Sequence, residues 1–130
     1  MAKKWLITGF IFAALAIIIG AFAAHALKEL VDPGSLQHFE TGARYQVYHA
    51  FAIMICGILA KIFGESRFIK IAGILFVMGI ILFSGSLYVL STKDVTGLNS
   101  LKWIGPLTPL GGLCFIAGWI VLAIGVMRKK

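Results

Sequence analysis

Charge is missing from four long stretches of this chain, and nothing else about it is as constraining. Trp5 to Leu27, Tyr45 to Ala60, Ile71 to Ser91 and Trp103 to Met127 contain no Lys, Arg, Asp or Glu. A helix rises 1.5 Å per residue, so about 20 apolar residues cross a hydrocarbon core roughly 30 Å thick. The first, third and fourth stretches meet that length directly. The second is shorter, but Asp32-Pro33-Gly34-Ser35 reads as a turn with a helix N-cap, and no Gly-Pro break follows between Leu36 and Phe63. The pattern predicts transmembrane helices over about 5–27, 43–63, 69–91 and 104–127. With one longer loop and two short ones, the fold class is all-α: a single domain, 1–130, built as an up-down-up-down four-helix bundle in the membrane.

Composition closes the alternatives. The chain is 60% hydrophobic and 13% charged, whereas a soluble domain is about half apolar and about a quarter charged. A soluble domain of 130 residues leaves too much surface exposed to hide that excess. Soluble enzymes, disordered chains and disulfide-stapled secreted folds are thereby excluded. Lys3 and Lys4 followed by an apolar run and Ala21-Phe22-Ala23 resemble a signal peptide. The run exceeds the ~7–15 residues of a signal core, so it reads as a retained first span.

The formal charge of +7 is a topology signal. Lys3, Lys4, Lys61, Arg67, Lys70, Arg128, Lys129 and Lys130 collect on one side, against Lys28, Arg44, Lys93 and Lys102 on the other. The positive-inside rule then predicts both termini in the cytoplasm. A nucleic-acid partner is not expected, because that reading needs a basic face on a soluble fold. Trp5 and Trp103 stand at span ends, where an aromatic belt would put them.

All four spans repeat small residues every seven positions. The register runs through Gly9, Ala16 and Ala23 (with Gly20 beside it), then Ala43, Ala50 and Gly57, then Ala72 and Gly79, then Gly111, Gly118 and Gly125. A seven-residue spacing keeps one seam facing a neighbour in left-handed packing. Small side chains on that seam let backbones approach, which matters in lipid because apolar burial alone does not join helices.

With this orientation the polar residues gather at the outer-leaflet end. His25 ends the first span. Glu40, Thr41, Arg44, Tyr45, Gln46, Tyr48 and His49 lie in the outer half of the second. Ser84, Ser86 and Tyr88 lie in the outer half of the third, and Thr108 opens the fourth. Polar groups at membrane depth are costly and mark function. Glu40 precedes Arg44 by four residues, the order that favours a helical ion pair. His25 and His49 are expected at comparable depth, where a histidine pair would suit a haem iron. A His, Tyr or Arg in an apolar cleft would suit a quinone. Cys56 and Cys114 lie deeper and at no ligand spacing, so no metal site is expected. No nucleophile elbow, zinc-protease helix or phosphate-binding glycine loop is present, so no catalytic residues are assigned. Pro109 is tolerated in a first turn, and Thr108 is expected to cap it.

Gly20-Ala21-Phe22-Ala23-Ala24-His25-Ala26-Leu27, Glu40 through Ala50, Phe83-Ser84-Gly85-Ser86-Leu87-Tyr88 and Thr108-Pro109-Leu110-Gly111-Gly112 together resemble the YgdD/YwdK-like family, a domain of unknown function (number 423). The likeness covers nearly the whole chain, and Ala23 departs from the usual Gly of that pattern. The resemblance implies a four-span bacterial inner-membrane protein whose signature is the polar cluster, with no established activity. The expected function is a non-enzymatic bundle of the bacterial cytoplasmic membrane, an accessory subunit or a lipid-interacting protein. Arg44 would face a lipid phosphate. Its expected partners are membrane lipids, a second copy, or a larger membrane complex. A quinone- or haem-linked redox protein using His25 and His49 is the first alternative, and a small oligomeric transporter or channel the second.

Overall fold

In hydrocarbon every backbone N–H and C=O must find its partner within the protein, and a helix achieves this within one segment. A computed structural model of the chain, describing residues 1–129, is accordingly helical almost throughout. Helix α1 spans Ala2–His25 and passes through a 3₁₀ turn, Leu27–Glu29, to α2, Pro33–Phe63. The third crossing comes in three pieces: α3, Arg67–Gly79, a π turn, Ile80–Ser84, and α4, Gly85–Ser91. The short α5, Lys93–Thr96, and a second 3₁₀ turn, Lys102–Ile104, lead to α6, Leu107–Met127. The four membrane-length segments are Ala2–Glu29, Pro33–Phe63, Arg67–Ser91 and Lys102–Met127.

The sequence accounts for most of the helix ends. Asp32 caps α2 by accepting from the Ser35 N–H at 3.0 Å and the Ser35 hydroxyl at 2.7 Å, with Pro33 in the first turn. Gly64, at φ 79°, ends that helix in a backbone conformation that favours glycine. Ser66 caps α3 through the Phe68 N–H. Thr108 does not cap α6; its hydroxyl is bound to Ser86 instead. In a lipid environment a cross-helix bond satisfies two hydroxyls at once, whereas a cap serves one N–H.

Helix α2, with 31 residues, is about 46 Å long, roughly 16 Å more than the hydrocarbon core. With Lys61 at one membrane face, roughly 30 Å of helix ends near Thr41, and the first eight or so residues stand clear of it.

Each crossing packs chiefly on the next. α1 runs antiparallel along α2, α2 against the third crossing, and the third crossing against α6. Ile53, Cys56, Ile69 and Phe76 form the fully buried centre. The buried residues of α1 are Gly9, Ala16 and Ala23, the register read from the sequence. Ala43, Ala50 and Gly57 are buried in α2, Ala72 and Gly79 in α3, and Gly111, Gly118 and Gly125 in α6.

These contacts lie within the chain. Gly9 abuts the Ala50 carbonyl, and Gly57 abuts the Ala2 carbonyl and Leu6. On α6 the three glycines receive phenylalanines: Phe83 at Gly111, Phe76 at Gly118 and Phe68 at Gly125, while Phe115 fills the notch at Gly79. Large-into-small packing restores dispersion contacts that lipid would otherwise supply. Gly20 is the exception among the residues assigned to packing: nothing lies within 4 Å of where its Cβ would be.

Candidate functional site

The polar residues near the end of the bundle away from the termini divide into two sets. One set binds helix to helix. The Gln46 amide donates to the Phe12 carbonyl of α1 at 2.9 Å, and its oxygen accepts from the Tyr88 hydroxyl of α4 at 2.7 Å. The Ser84 hydroxyl donates to the Gly42 carbonyl at 2.7 Å, and the Ser86 and Thr108 hydroxyls bond to each other at 2.5 Å. Three helices around α2 are thus stitched by side chains that have no water to turn to.

The second set faces outward. His25, Glu40, Arg44, Tyr45 and Tyr48 are exposed, and Thr41 bonds only to the Gln37 carbonyl of its own helix. The ion pair expected between Glu40 and Arg44 does not form; among the described residues the single ion pair joins the Met1 amino group to Glu65. At an exposed interface the Coulomb gain of such a pair barely offsets the ordering of two long side chains.

The two histidines are not a pair. Gly9 meets Ala50, Gly57 meets Ala2, and Phe12 meets Gln46. That register sets His49 level with Phe10 of α1, while His25 is level with Gly34 of α2. At 1.5 Å per residue the two rings are roughly 20 Å apart along the bundle. They do not share the depth expected of them and cannot ligate one iron from opposite sides.

His49 itself is held at mid-bundle in a defined state. An indole N–H can only donate, so the 3.3 Å contact from Trp119 makes Nε2 of His49 an acceptor. The proton therefore sits on Nδ1, which donates to the Tyr45 carbonyl at 2.7 Å. The ring stacks on Phe115, with centroids 3.4 Å apart and planes 8° from parallel.

Around this imidazole the side chains leave an open cleft of about 580 Å³ between α2 and α6, walled by Tyr45, Tyr48, His49, Phe83, Phe115 and Trp119. Tyr48 and Trp119 are 51% and 42% exposed, so the mouth opens sideways onto the surface that lipid covers.

The π turn shapes this region. Its widened ring is closed by the Gly85 N–H on the Ile80 carbonyl. It brings the Phe83 main chain against Gly111, leaving the Phe83 ring on the cleft wall. Such turns recur at functional sites. Neither it nor the role of Trp119 was anticipated from sequence. A tryptophan in mid-span, where no aromatic belt explains it, was the available signal. Trp5, expected as a belt residue, packs its ring on Gly73 of α3.

The profile of a family described as "Protein of unknown function (DUF423)" matches residues 19–112, a range that encloses every polar residue from His25 to Thr108. The UPF0382 membrane protein YwdK of Bacillus subtilis is 38% identical over 126 residues, covering 97% of this chain and 98% of the relative. A UPF0382 membrane protein of Haemophilus influenzae is 34% identical over 130 residues, with 100% and 98% covered. The UPF0382 inner membrane protein YgdD of Escherichia coli is 35% identical over 128 residues, with 95% and 86% covered. No solved structure matches the chain. With four membrane-length helices and relatives matched along nearly their whole length, the chain belongs to the DUF423 (UPF0382) family and is a multi-pass protein of the bacterial cytoplasmic membrane.

Proposed function

We propose that this protein is a non-enzymatic, lipid-binding bundle that holds one chain of a membrane amphiphile in the cleft beside His49, with both termini in the cytoplasm and the cleft running from mid-membrane toward the outer side. The carrying observation is the cleft itself: an aromatic-walled volume of about 580 Å³, open to the lipid side. Its chemistry suits binding better than catalysis. Both nitrogens of His49 are already bonded, so the ring offers a flat wall and no free base. Arg44 stands one helical turn above Tyr48 on the exposed face of α2. A lipid whose chain entered the cleft would carry its phosphate toward that guanidinium, which binds phosphate through two parallel donors.

The test is native mass spectrometry of protein taken gently from its own membrane, paired with extraction of what it carries. Gly112 lines the cleft, and a Cβ there would meet only Phe83 at 3.8 Å, so Gly112→Leu fills the space without crowding a seam. The parent protein should retain a lipid that Gly112→Leu loses. Equal lipid content in both would refute the proposal. The aromatic walls of the cleft also suit a planar ring, which makes a quinone the competing occupant. Quinone absorbance in the extract would transfer the cleft to that reading.

A further inference from the structure

The opposite end of the bundle carries a second recess that the reading above does not use. Between the start of α1 and the start of α3 lies a cavity of about 420 Å³, lined by Met1, Lys4, Trp5, Thr8, Glu65 and Lys70. We infer that this cavity binds the headgroup phosphate of an anionic phospholipid in the leaflet on the terminal side.

Charge comes first. Lys4 and Lys70 both face the recess, from different helices. Glu65 is the only acidic side chain near them in the sequence, and its carboxylate is taken by the Met1 amino group at 2.9 Å. Among the described residues neither lysine has an ion-pair partner. The cavity therefore presents two uncompensated ammonium groups at the first turns of two helices, whose N-terminal dipoles add positive potential.

Depth comes second. Thr8 follows Lys4 by four residues, so its hydroxyl lies about 6 Å deeper along the same face. The Trp5 ring forms another wall, wedged on Gly73, and its indole N–H is buried without an acceptor. Cations at the surface and the Thr8 hydroxyl one turn below match the order of phosphate and ester carbonyls in a phospholipid. Ile11 of α1 and Ile74 of α3, 55% and 46% exposed, continue the apolar surface inward for the chains.

The source of the phosphate is settled by the ligand series. Full-length protein, stripped of lipid in detergent, is titrated with phosphatidylglycerol, phosphatidylethanolamine or inorganic phosphate, and bound mass is followed by native mass spectrometry. Phosphatidylglycerol should bind most tightly, and inorganic phosphate should not compete at millimolar concentration. The double variant Lys4→Ala/Lys70→Ala should bind it about 30-fold more weakly, since each basic residue near the surface contributes about 1 kcal/mol and a tenfold change is about 1.4 kcal/mol. The control Lys3→Ala/Lys61→Ala removes two lysines from the same end but outside the recess, and should bind the lipid as tightly as the parent because neither lines the cavity. All four lysines are exposed, so none of these variants threatens the fold. Equal losses in the two double variants would reduce the effect to general surface charge and overturn the site. So would equal affinity for the two lipids, and competition by inorganic phosphate would replace the lipid with a free anion.

Discussion

Gly111→Ala tests whether backbone contact between α6 and the third crossing holds this fold together. A Cβ at Gly111 would collide with the main-chain nitrogen of Phe83 and lie 2.8 Å from its Cα. Neither atom is the tip of a flexible side chain, so one helix must move outward or the π turn must relax. Forcing one methyl into a packed interior costs typically about 1–3 kcal/mol. A shift here also loosens Phe76 at Gly118 and Phe115 at Gly79, which share the same helix pair. We expect Gly111→Ala to destabilise the folded bundle by about 2–3 kcal/mol, the upper part of that range. Gly20→Ala is the matched control, because no atom lies within 4 Å of its added Cβ. There the change should be neutral or stabilising by up to about 1 kcal/mol, the ordinary preference of a helix for Ala over Gly. The assay is reversible unfolding in mixed micelles with increasing SDS, followed by circular dichroism and tryptophan fluorescence. Equal midpoints for the two variants would refute the reasoning, since sequence spacing alone treats both glycines as packing residues.

Three further outcomes follow from particular bonds. Gln46→Leu removes the link between Phe12 and Tyr88 and should cost about 0.6–1.7 kcal/mol, from the average to the largest value for polar contacts between membrane helices. In a double-mutant cycle, Gln46→Leu with Tyr88→Phe should lose less than the two single variants summed. Trp119→Phe leaves Nε2 of His49 without its donor, and nitrogen NMR should then show a mixture of tautomers where the parent shows only the Nδ1–H form. Asp32 is held below the usual carboxylate range, first by the Ser35 hydroxyl and then by the Ser35 N–H. A depressed carboxylate stabilises above its unfolded pKa, and that contribution disappears as pH falls through the folded one. Protection of the Ser35 amide, measured against its intrinsic exchange rate, should therefore fall below the ordinary Asp range, and Asp32→Ala should lack that protection at every pH.

Much of this architecture is a consequence of solvent, and solvent effects are written locally. Hydrocarbon demands about 20 apolar residues per crossing and internal satisfaction of every peptide group. Hence the spans can be read from where Lys, Arg, Asp and Glu are missing. Close helix approach demands a small side chain each time the seam returns, and in left-handed packing it returns every seven residues. Gly9, Ala16 and Ala23 announce that face of α1 before any partner is known, and the structure buries those residues. The N-cap at Asp32 is legible for the same reason, being an interaction over three residues.

Which surfaces meet, and which polar groups are consumed in meeting, was decided only in three dimensions. Gly20 and Gly111 look alike in the sequence, yet one faces open space and the other the Phe83 backbone. Gln46, Ser84, Ser86 and Thr108 read as a functional cluster, and folding commits them to bonds between helices. His25 and His49 look matched in depth until the register of α1 on α2 separates them by roughly 20 Å. The cleft beside His49 and the recess at Lys4 and Lys70 each draw on helices far apart in the chain. Hydropathy and spacing report what each residue demands of its surroundings. Which neighbour meets that demand depends on how the helices cross, and that is set by packing of the whole bundle at once.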